Sequence, residues 1–336
     1  MRPRHNRGGI AWQNEKCRQS RQEEDFETYR MPAGEFAFID WLRQRTPADP
    51  RVLIGPGDDT AALQLTPGAA CLLTTDMLLE GSCFRLAEAG PRRVGRKAMA
   101  VNLSDIAAMA GRPVAALASV GLPRQGGRAL AEELYLGLRE AADPFGTALV
   151  GGDTNSWDGP LVVSITILGE ATERGPVRRS GARPGDWLFV TGPLGGSILG
   201  RHLSFTPRVC EALELHRLVD LHAMIDVSDG LAADLNHLCE ESHCGAVVRA
   251  EAVPIHDDVR RASDNRSPLE HALGDGEDFE LIFAVSPDDG QRLLATQPIA
   301  GISLAHFGDC VESGLWLEEK LQRRELRPAG YVHYLQ

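Results

Sequence analysis

The sequence predicts an α+β protein of two domains, on three observations. Short apolar runs that read as strands alternate irregularly with longer helical patterns, without a steady β-α-β rhythm. A chain of 336 residues, 43% hydrophobic and 6% aromatic, is long enough for two separately cored domains. A turn-rich junction, Gly181-Ala-Arg183-Pro184-Gly185-Asp186, then precedes a fresh apolar strand at Trp187-Leu-Phe-Val190. The expected division is a disordered arm over residues 1–30, an N-terminal mixed domain over 31–180 and a C-terminal α/β domain over 181–336.

The arm is polar, mixed in charge and without a sustained period, and Met31 is an alternative start. From Gly34 the run Phe36, Phe38, Ile39, Leu42 has helical spacing, and Pro47 closes it. Val52-Leu-Ile54 reads as a short buried strand. Gly55-Pro56-Gly57 then turns the backbone and places Asp58 and Asp59 side by side on a loop. Two like charges a few ångströms apart repel by about 4 kcal/mol at an effective dielectric near 20, so the pair calls for a cation or helix-terminus donors. An ordinary Asx turn in a solvated loop is the alternative.

The same device recurs at Leu72-Leu-Thr74-Thr75-Asp76, at Ala148-Leu-Val150-Gly151-Gly152-Asp153 and at Met224-Ile225-Asp226-Val227-Ser228-Asp229-Gly230. Apolar strands are expected to deliver carboxylates to their ends. Such oxygen-rich sets suit Mg²⁺, which takes one or two carboxylates, keeps several waters and bridges to substrate phosphates.

Between these stretches, Pro91 opens a helix over Arg92–Ala110. Asn102 and Asp105 share a face of it among Ala98, Val101, Ile106 and Met109, so both need partners unless that face is solvated. Pro113–Gly121 reads as a strand, Gly127–Phe145 as a helix and Leu161–Leu168 as a strand. In the second half, Thr191-Gly192-Pro-Leu-Gly195-Gly196-Ser197 is a glycine-rich turn able in principle to hold phosphate. It lacks both the P-loop Lys and the dinucleotide spacing. Ser228 is the expected N-cap of the next helix, which leaves Asp226 unexplained by capping. Gly274-Asp275-Gly276-Glu277-Asp278-Phe279-Glu280 forms an acidic loop before the strand Leu281–Val285, able to meet a ligand's donors or a cationic ring.

Composition narrows the ligands. Lys and Arg total 35 against 47 Asp and Glu, a net charge of −12, which argues against general nucleic-acid binding and against an anionic membrane surface. Seven cysteines without a CxxC pair do not resemble a disulfide framework, and the cytoplasm is the expected compartment. His237, Cys239, His243 and Cys244 crowd one segment, at spacings that match no usual zinc site. No apolar run approaches the roughly 20 residues of a membrane span.

Taken together, the motifs resemble the thiamine-monophosphate kinase family, in the superfamily of aminoimidazole-ribonucleotide synthetase, selenophosphate synthetase and the hydrogenase-maturation dehydratase. The residues that carry the resemblance run collinearly from about 34 to 331. They are Gly34-Glu35-Phe36, Gly55–Asp59, Thr74-Thr75-Asp76, Lys97–Asp105 with Ala108-Met109, Gly151–Thr154, Arg179–Ala182, Ile225–Leu231 and Gly276–Leu281. The resemblance implies magnesium at Asp59, Thr74, Thr75, Asp76, Asp105, Asp153, Asp226 and Asp229. It implies ATP at Gly152, Asp153, Arg179 and Ser228, and thiamine monophosphate at Cys83, Glu277 and Tyr331. It further implies a homodimer formed through the N-terminal sheet, with the C-terminal domain closing over the nucleotide.

The implied reaction moves the γ-phosphoryl of ATP directly onto a phosphate, with several Mg²⁺ ions and no general base. Another ATP-dependent member of the superfamily, such as aminoimidazole-ribonucleotide synthetase, or a non-catalytic nucleotide- or metal-binding scaffold are the alternatives. The sequence departs from the family pattern in four places. Cys83 stands where a His is usual, and Asn155-Ser-Trp157-Asp158 lacks the usual Arg. The region after Gly196 is short, and Gly274-Asp275 replaces Ser-Gly.

Overall fold

The computed structural model describes residues 35–331; the expected arm over residues 1–30 lies outside them. Four strands form the first sheet, in the spatial order Cys71–Leu79, Val162–Glu170, Arg112–Pro123, Ala148–Trp157. The first two pairings are antiparallel and the last is parallel, which is why no single rhythm ran through the sequence. Helices Pro91–Ala108 and Gly127–Ala142 pack on one face. The edge strand alternates accordingly: Leu72 and Leu78 are buried, whereas Leu73 and Met77 on the opposite face are 70% and 60% exposed.

The two helices approach at glycines. A Cβ added to Gly95 would lie 2.1 Å from the Leu134 carbonyl oxygen, and one added to Gly137 would lie 1.8 Å from that of Arg92. No side chain fits at either point.

Seven strands form the second sheet, in the order Gln322–Glu325, Leu315–Glu319, Gly245–Arg249, Ala305–Val311, Trp187–Val190, Leu281–Val285, Ala223–Asp226. Only the pairing of Leu315–Glu319 with Gly245–Arg249 is parallel. Every residue of Leu281–Val285 is buried, as expected for an unbroken apolar run in a strand paired on both sides. Helix Leu231–Ser242 covers one face. The other face, through Phe189, Met224 and Phe283, joins the core built around helix Pro91–Ala108. That helix therefore lies between the two sheets, against strand Ala223–Asp226 and helix Val209–Leu218.

Several expectations shift. Val52–Ile54 is a strand but not a buried one: Leu53 is 63% exposed, because its sole partner, the two-residue strand Ala62–Leu63, cannot cover both faces. The helix expected to reach Phe145 ends at Ala142 and tightens into a 3₁₀ turn over Asp143–Phe145. The strand beginning at Ala148 runs on through Gly151-Gly152-Asp153 to Trp157, held by parallel pairing with Arg112–Pro123. Asp76 and Asp153 thus lie within strands, opposite Ile165 and Ser119, and Asp226 alone of the three ends a strand. Among the described residues no helix is long and apolar enough to cross a membrane.

Candidate active site

The central helix carries its polar residues to the seam between the sheets. Asn102, fully buried, accepts the backbone N–H of Asp76 at 3.0 Å and donates to the Ala98 carbonyl at 3.0 Å. It is a clamp on the Thr74–Asp76 strand, and the solvated-face alternative does not hold. Asp105 accepts from the Thr74 hydroxyl and hydrogen-bonds to Asp76. One residue earlier, Ser104 donates to Asp226 at 2.6 Å from the other domain.

Three acids from two sheets and a helix therefore meet with little compensating charge. Burial, and then repulsion from Asp105, pushes the Asp76 carboxyl up to about 7 and that of Asp226 up to about 8. Burial also raises Asp105, opposed by the Thr74 hydroxyl and the Arg179 charge. Hard oxygen donors held in acid surplus fit a divalent cation such as Mg²⁺. Among the described residues no three such side chains lie close enough together to hold an ion by themselves.

Other members of the expected set fall elsewhere. Thr75 points to the open sheet face, donating to the Ile165 carbonyl and accepting from Thr166. Asp59, Gly152 and Asp153 line a cavity of about 1120 Å³ with Phe38, Leu42 and Tyr135. Asp58 accepts the Asp59 N–H at 2.9 Å, a local bond of the turn, and both are exposed. Gly152 has no room for a side chain, since a Cβ would meet the Ala118 carbonyl oxygen at 1.8 Å.

The turn after Asp226 is built differently from expectation. Helix Leu231–Ser242 starts after Gly230, with no side-chain cap from Ser228. The buried Asp234 carboxylate reaches back to accept the N–H groups of Asp229 and Gly230, each at 3.0 Å. Asp234 satisfies the helix start from inside the first turn and frees the Ser228 side chain. Burial, then the Asp229 charge, pushes its carboxyl up to about 7.

Of the residues expected to meet thiamine monophosphate, Cys83 and Glu277 are joined by a residue not singled out by itself, and Tyr331 lies against Ser82 beside them. Lys97 is 1% exposed, and its ammonium donates to the Cys83 carbonyl at 2.8 Å and forms a short ion pair with Glu277 Oε2. His202 Nδ1 lies 2.6 Å from the same oxygen. Burial pushes the Glu277 carboxyl up, but the His202 hydrogen bond and the Lys97 charge outweigh it and hold it below the ordinary value. The Tyr331 hydroxyl is 3.3 Å from Ser82 Oγ, and its N–H donates to the Asp229 carbonyl.

The glycine-rich turn is not a phosphate cradle. Gly195 N–H donates to Asp278 and Gly196 N–H to Asp275, each at 2.9 Å, and only 3₁₀ turns follow. The acidic loop is thus committed mainly to the fold. Asp275 also binds His271 and Arg266, Asp278 binds Arg201, and Glu280 binds Thr191 and Arg208. Glu277 alone keeps an oxygen for a ligand. Cys239 and Cys244 hydrogen-bond within a group that includes Cys310, while His237 faces Glu240.

This two-domain arrangement is that of the AIR synthase related proteins. Residues 57–171 match that family's N-terminal domain and residues 183–308 its C-terminal domain. The chain is 42% identical to the thiamine-monophosphate kinase of Rhodopirellula baltica over 89% of its own length and 97% of that protein. The crystal structure of thiamine-monophosphate kinase from Stenotrophomonas maltophilia superposes with a TM-score of 0.75 at 33% identity, over 84% of this chain and 96% of that one. A structure of AaThiL complexed with AMPPCP and TMP superposes with a TM-score of 0.70 at 28% identity, over 92% and 100%. The chain belongs to the thiamine-monophosphate kinase family, and it is an enzyme, a kinase.

Proposed function

We propose that the chain phosphorylates thiamine monophosphate with ATP, giving thiamine diphosphate and ADP. The observation that carries this reading is the likeness to AaThiL complexed with AMPPCP and TMP, which extends over the whole of that chain. The acid cluster supplies the physical reason. Asp76, Asp105 and Asp226 are costly as a bare set and become ligands in the presence of a metal–nucleotide.

At the seam Mg²⁺ would be held by Thr74, Asp76, Asp105 and Asp226, with Asp229 from the following turn, and at the cavity by Asp59 and Asp153, with Thr75 on the sheet face that the cavity opens on. Bound there it would supply charge neutralisation between two polyanions. Gly152, Asp153, Arg179 and Ser228 would bind the nucleotide. Arg179, whose charge already reaches Asp105 and Asp226, would offset phosphate charge. Cys83, Glu277 and Tyr331 would hold the acceptor. A phosphomonoester is already largely dianionic at pH 7, its second pKa being about 6, so the attacking oxygen needs no general base. The side chains then contribute position and electrostatics. We further assign the open face of the first sheet, with Leu73, Met77 and Leu117 exposed, to a homodimer interface.

The test is an assay of γ-labelled ATP against thiamine monophosphate, thiamine and a panel of other phosphate acceptors. Label is expected in thiamine diphosphate only; turnover confined to another acceptor, or none, would overturn the reading.

A further inference from the structure

Three polar groups from distant parts of the chain meet at one oxygen of Glu277. Lys97 comes from the central helix, Glu277 from the loop before Leu281, and His202 from the 3₁₀ turn Arg201–Leu203. His202 is 7% exposed, and its Nδ1 lies 2.9 Å from Lys97 Nζ and 2.6 Å from Glu277 Oε2.

These contacts fix the ring's proton. A Lys ammonium has donors only, so if it donated to Nδ1, that nitrogen would present a lone pair to a carboxylate oxygen at 2.6 Å. An acceptor facing an acceptor at that distance is repulsive, whereas N–H to carboxylate contacts are normally about 2.7–2.9 Å. The closer contact decides: Nδ1 is assigned the hydrogen and donates to Glu277, and Lys97 donates to Glu277 and the Cys83 carbonyl. The 2.9 Å approach of the ring N–H to the ammonium is a donor beside a donor, both held by the same carboxylate oxygen.

The consequence falls on the other carboxylate oxygen. Both of Glu277's bonds go to Oε2, leaving Oε1 without a hydrogen-bond partner among the described residues, on a side chain that is 26% exposed. The backbone is also held out of its ordinary range. Glu277 has φ +56 and Phe279 φ +52, pinned by N–H bonds to the Ser228 and Val227 carbonyls. Left-handed backbone at two non-glycine residues persists only where surroundings over-determine it, and is common where a side chain must be aimed.

We propose that His202 is a positioning residue for the acceptor. It locks the rotation of the Glu277 carboxylate so that Oε1 faces the open side and accepts a substrate N–H group. Because Lys97 already offsets the charge of Glu277, what Oε1 offers is a directed acceptor more than a free negative charge. The chemistry selected is an amine or amidine-like N–H on the acceptor substrate. This assignment rests on the proposed function and gives the C-terminal domain a part in choosing the acceptor.

The experiment compares His202→Leu, which keeps volume without a donor, with His202→Asn, whose amide N–H falls near the place of Nδ1. KM for thiamine monophosphate and for ATP, kcat and Tm are measured on full-length protein. His202→Leu is expected to raise KM for thiamine monophosphate tenfold or more with KM for ATP within twofold, and His202→Asn to restore most of the loss. If His202→Leu does not fold, His202→Gln replaces it: its amide reaches the place of Nε2, so it should fail where Asn succeeds. Unchanged acceptor KM, equal effects on both substrates, or Asn no better than Leu or Gln overturns the assignment. A wild-type enzyme that turns over no thiamine monophosphate overturns the functional reading itself, and the acceptor role of His202 with it.

Discussion

Ser104 Oγ donates to Asp226 Oδ2 at 2.6 Å, and this bond joins the central helix of the first domain to the last residue of an edge strand in the second. It holds a carboxylate in a buried, acid-rich seam where that group prefers its proton. The folded value of about 8 lies above the ordinary 3.8, so the folded state binds the proton more tightly than the unfolded chain. The stability this group contributes is fully present below about pH 4 and is lost as pH rises through about 8. Wild-type Tm without metal should fall between about pH 4 and 8, with Asp76 and Asp234 contributing to the same fall, and Asp226→Asn should remove its upper part, between about pH 7 and 8, while abolishing most turnover. Adding Mg²⁺ with ATP should raise wild-type Tm more at pH 8.5 than at pH 6; thermal melts across pH decide it.

The two acids flanking Gly230 should respond oppositely. Asp234→Ala removes the acceptor of the Asp229 and Gly230 N–H groups and should cost about 1–3 kcal/mol. Asp229→Asn relieves repulsion with Asp234, so it should leave the metal-free protein as stable as wild type or more so. It should also cut turnover and raise the Mg²⁺ needed for what remains. Unfolding by urea and the Mg²⁺ dependence of kcat on the same proteins separate a capping role from a ligand role.

Lys97→Met should destabilise by about 3–5 kcal/mol, because Glu277 loses its countercharge in a mostly buried place. Adding Glu277→Gln should recover part of the loss. A double-mutant cycle in urea measures the coupling, expected to exceed about 1 kcal/mol; additive effects would contradict a direct pair.

Gly137→Ala should be among the most damaging single-methyl changes in the protein, since its Cβ would stand 1.8 Å from a backbone oxygen of the neighbouring helix. A loss of several kcal/mol is expected. Gly127→Ala, where nothing lies within 4 Å, is the control and should change Tm little.

Leu73 and Met77 offer a test of the dimer. Asp at either position places a charge in the proposed interface and should give monomers in sedimentation experiments, whereas wild type is expected to give dimers; a monomeric wild type would refute the assignment.

The strands that were clear in the sequence are those whose environment is local. Leu281–Val285 and Trp187–Val190 are buried on both sides and read as unbroken apolar runs. What was not clear depended on partners far along the chain. Asp76 and Asp153 looked like strand ends because a polar residue interrupts an apolar run. Pairing across the sheet carries those strands several residues farther. Lys97 meets Glu277 across 180 residues and His202 across 105, separations that no spacing rule reaches. The glycine-rich turn looked ready for phosphate because its N–H groups were visible, and the carboxylates that occupy them, Asp275 and Asp278, lie about eighty residues away.

The central helix has one more consequence. Lys97, which meets Glu277, and Asp105, which meets Asp76, stand on a single helix, separated by two turns of regular backbone, a rise of about 12 Å. Close packing at Gly95 and Gly137 stiffens that span. On the proposed assignment, the spacing between the acceptor contact and the metal ligands would be set by regular helical backbone rather than by a loop. A change in the packing of that one helix would then disturb both sites together.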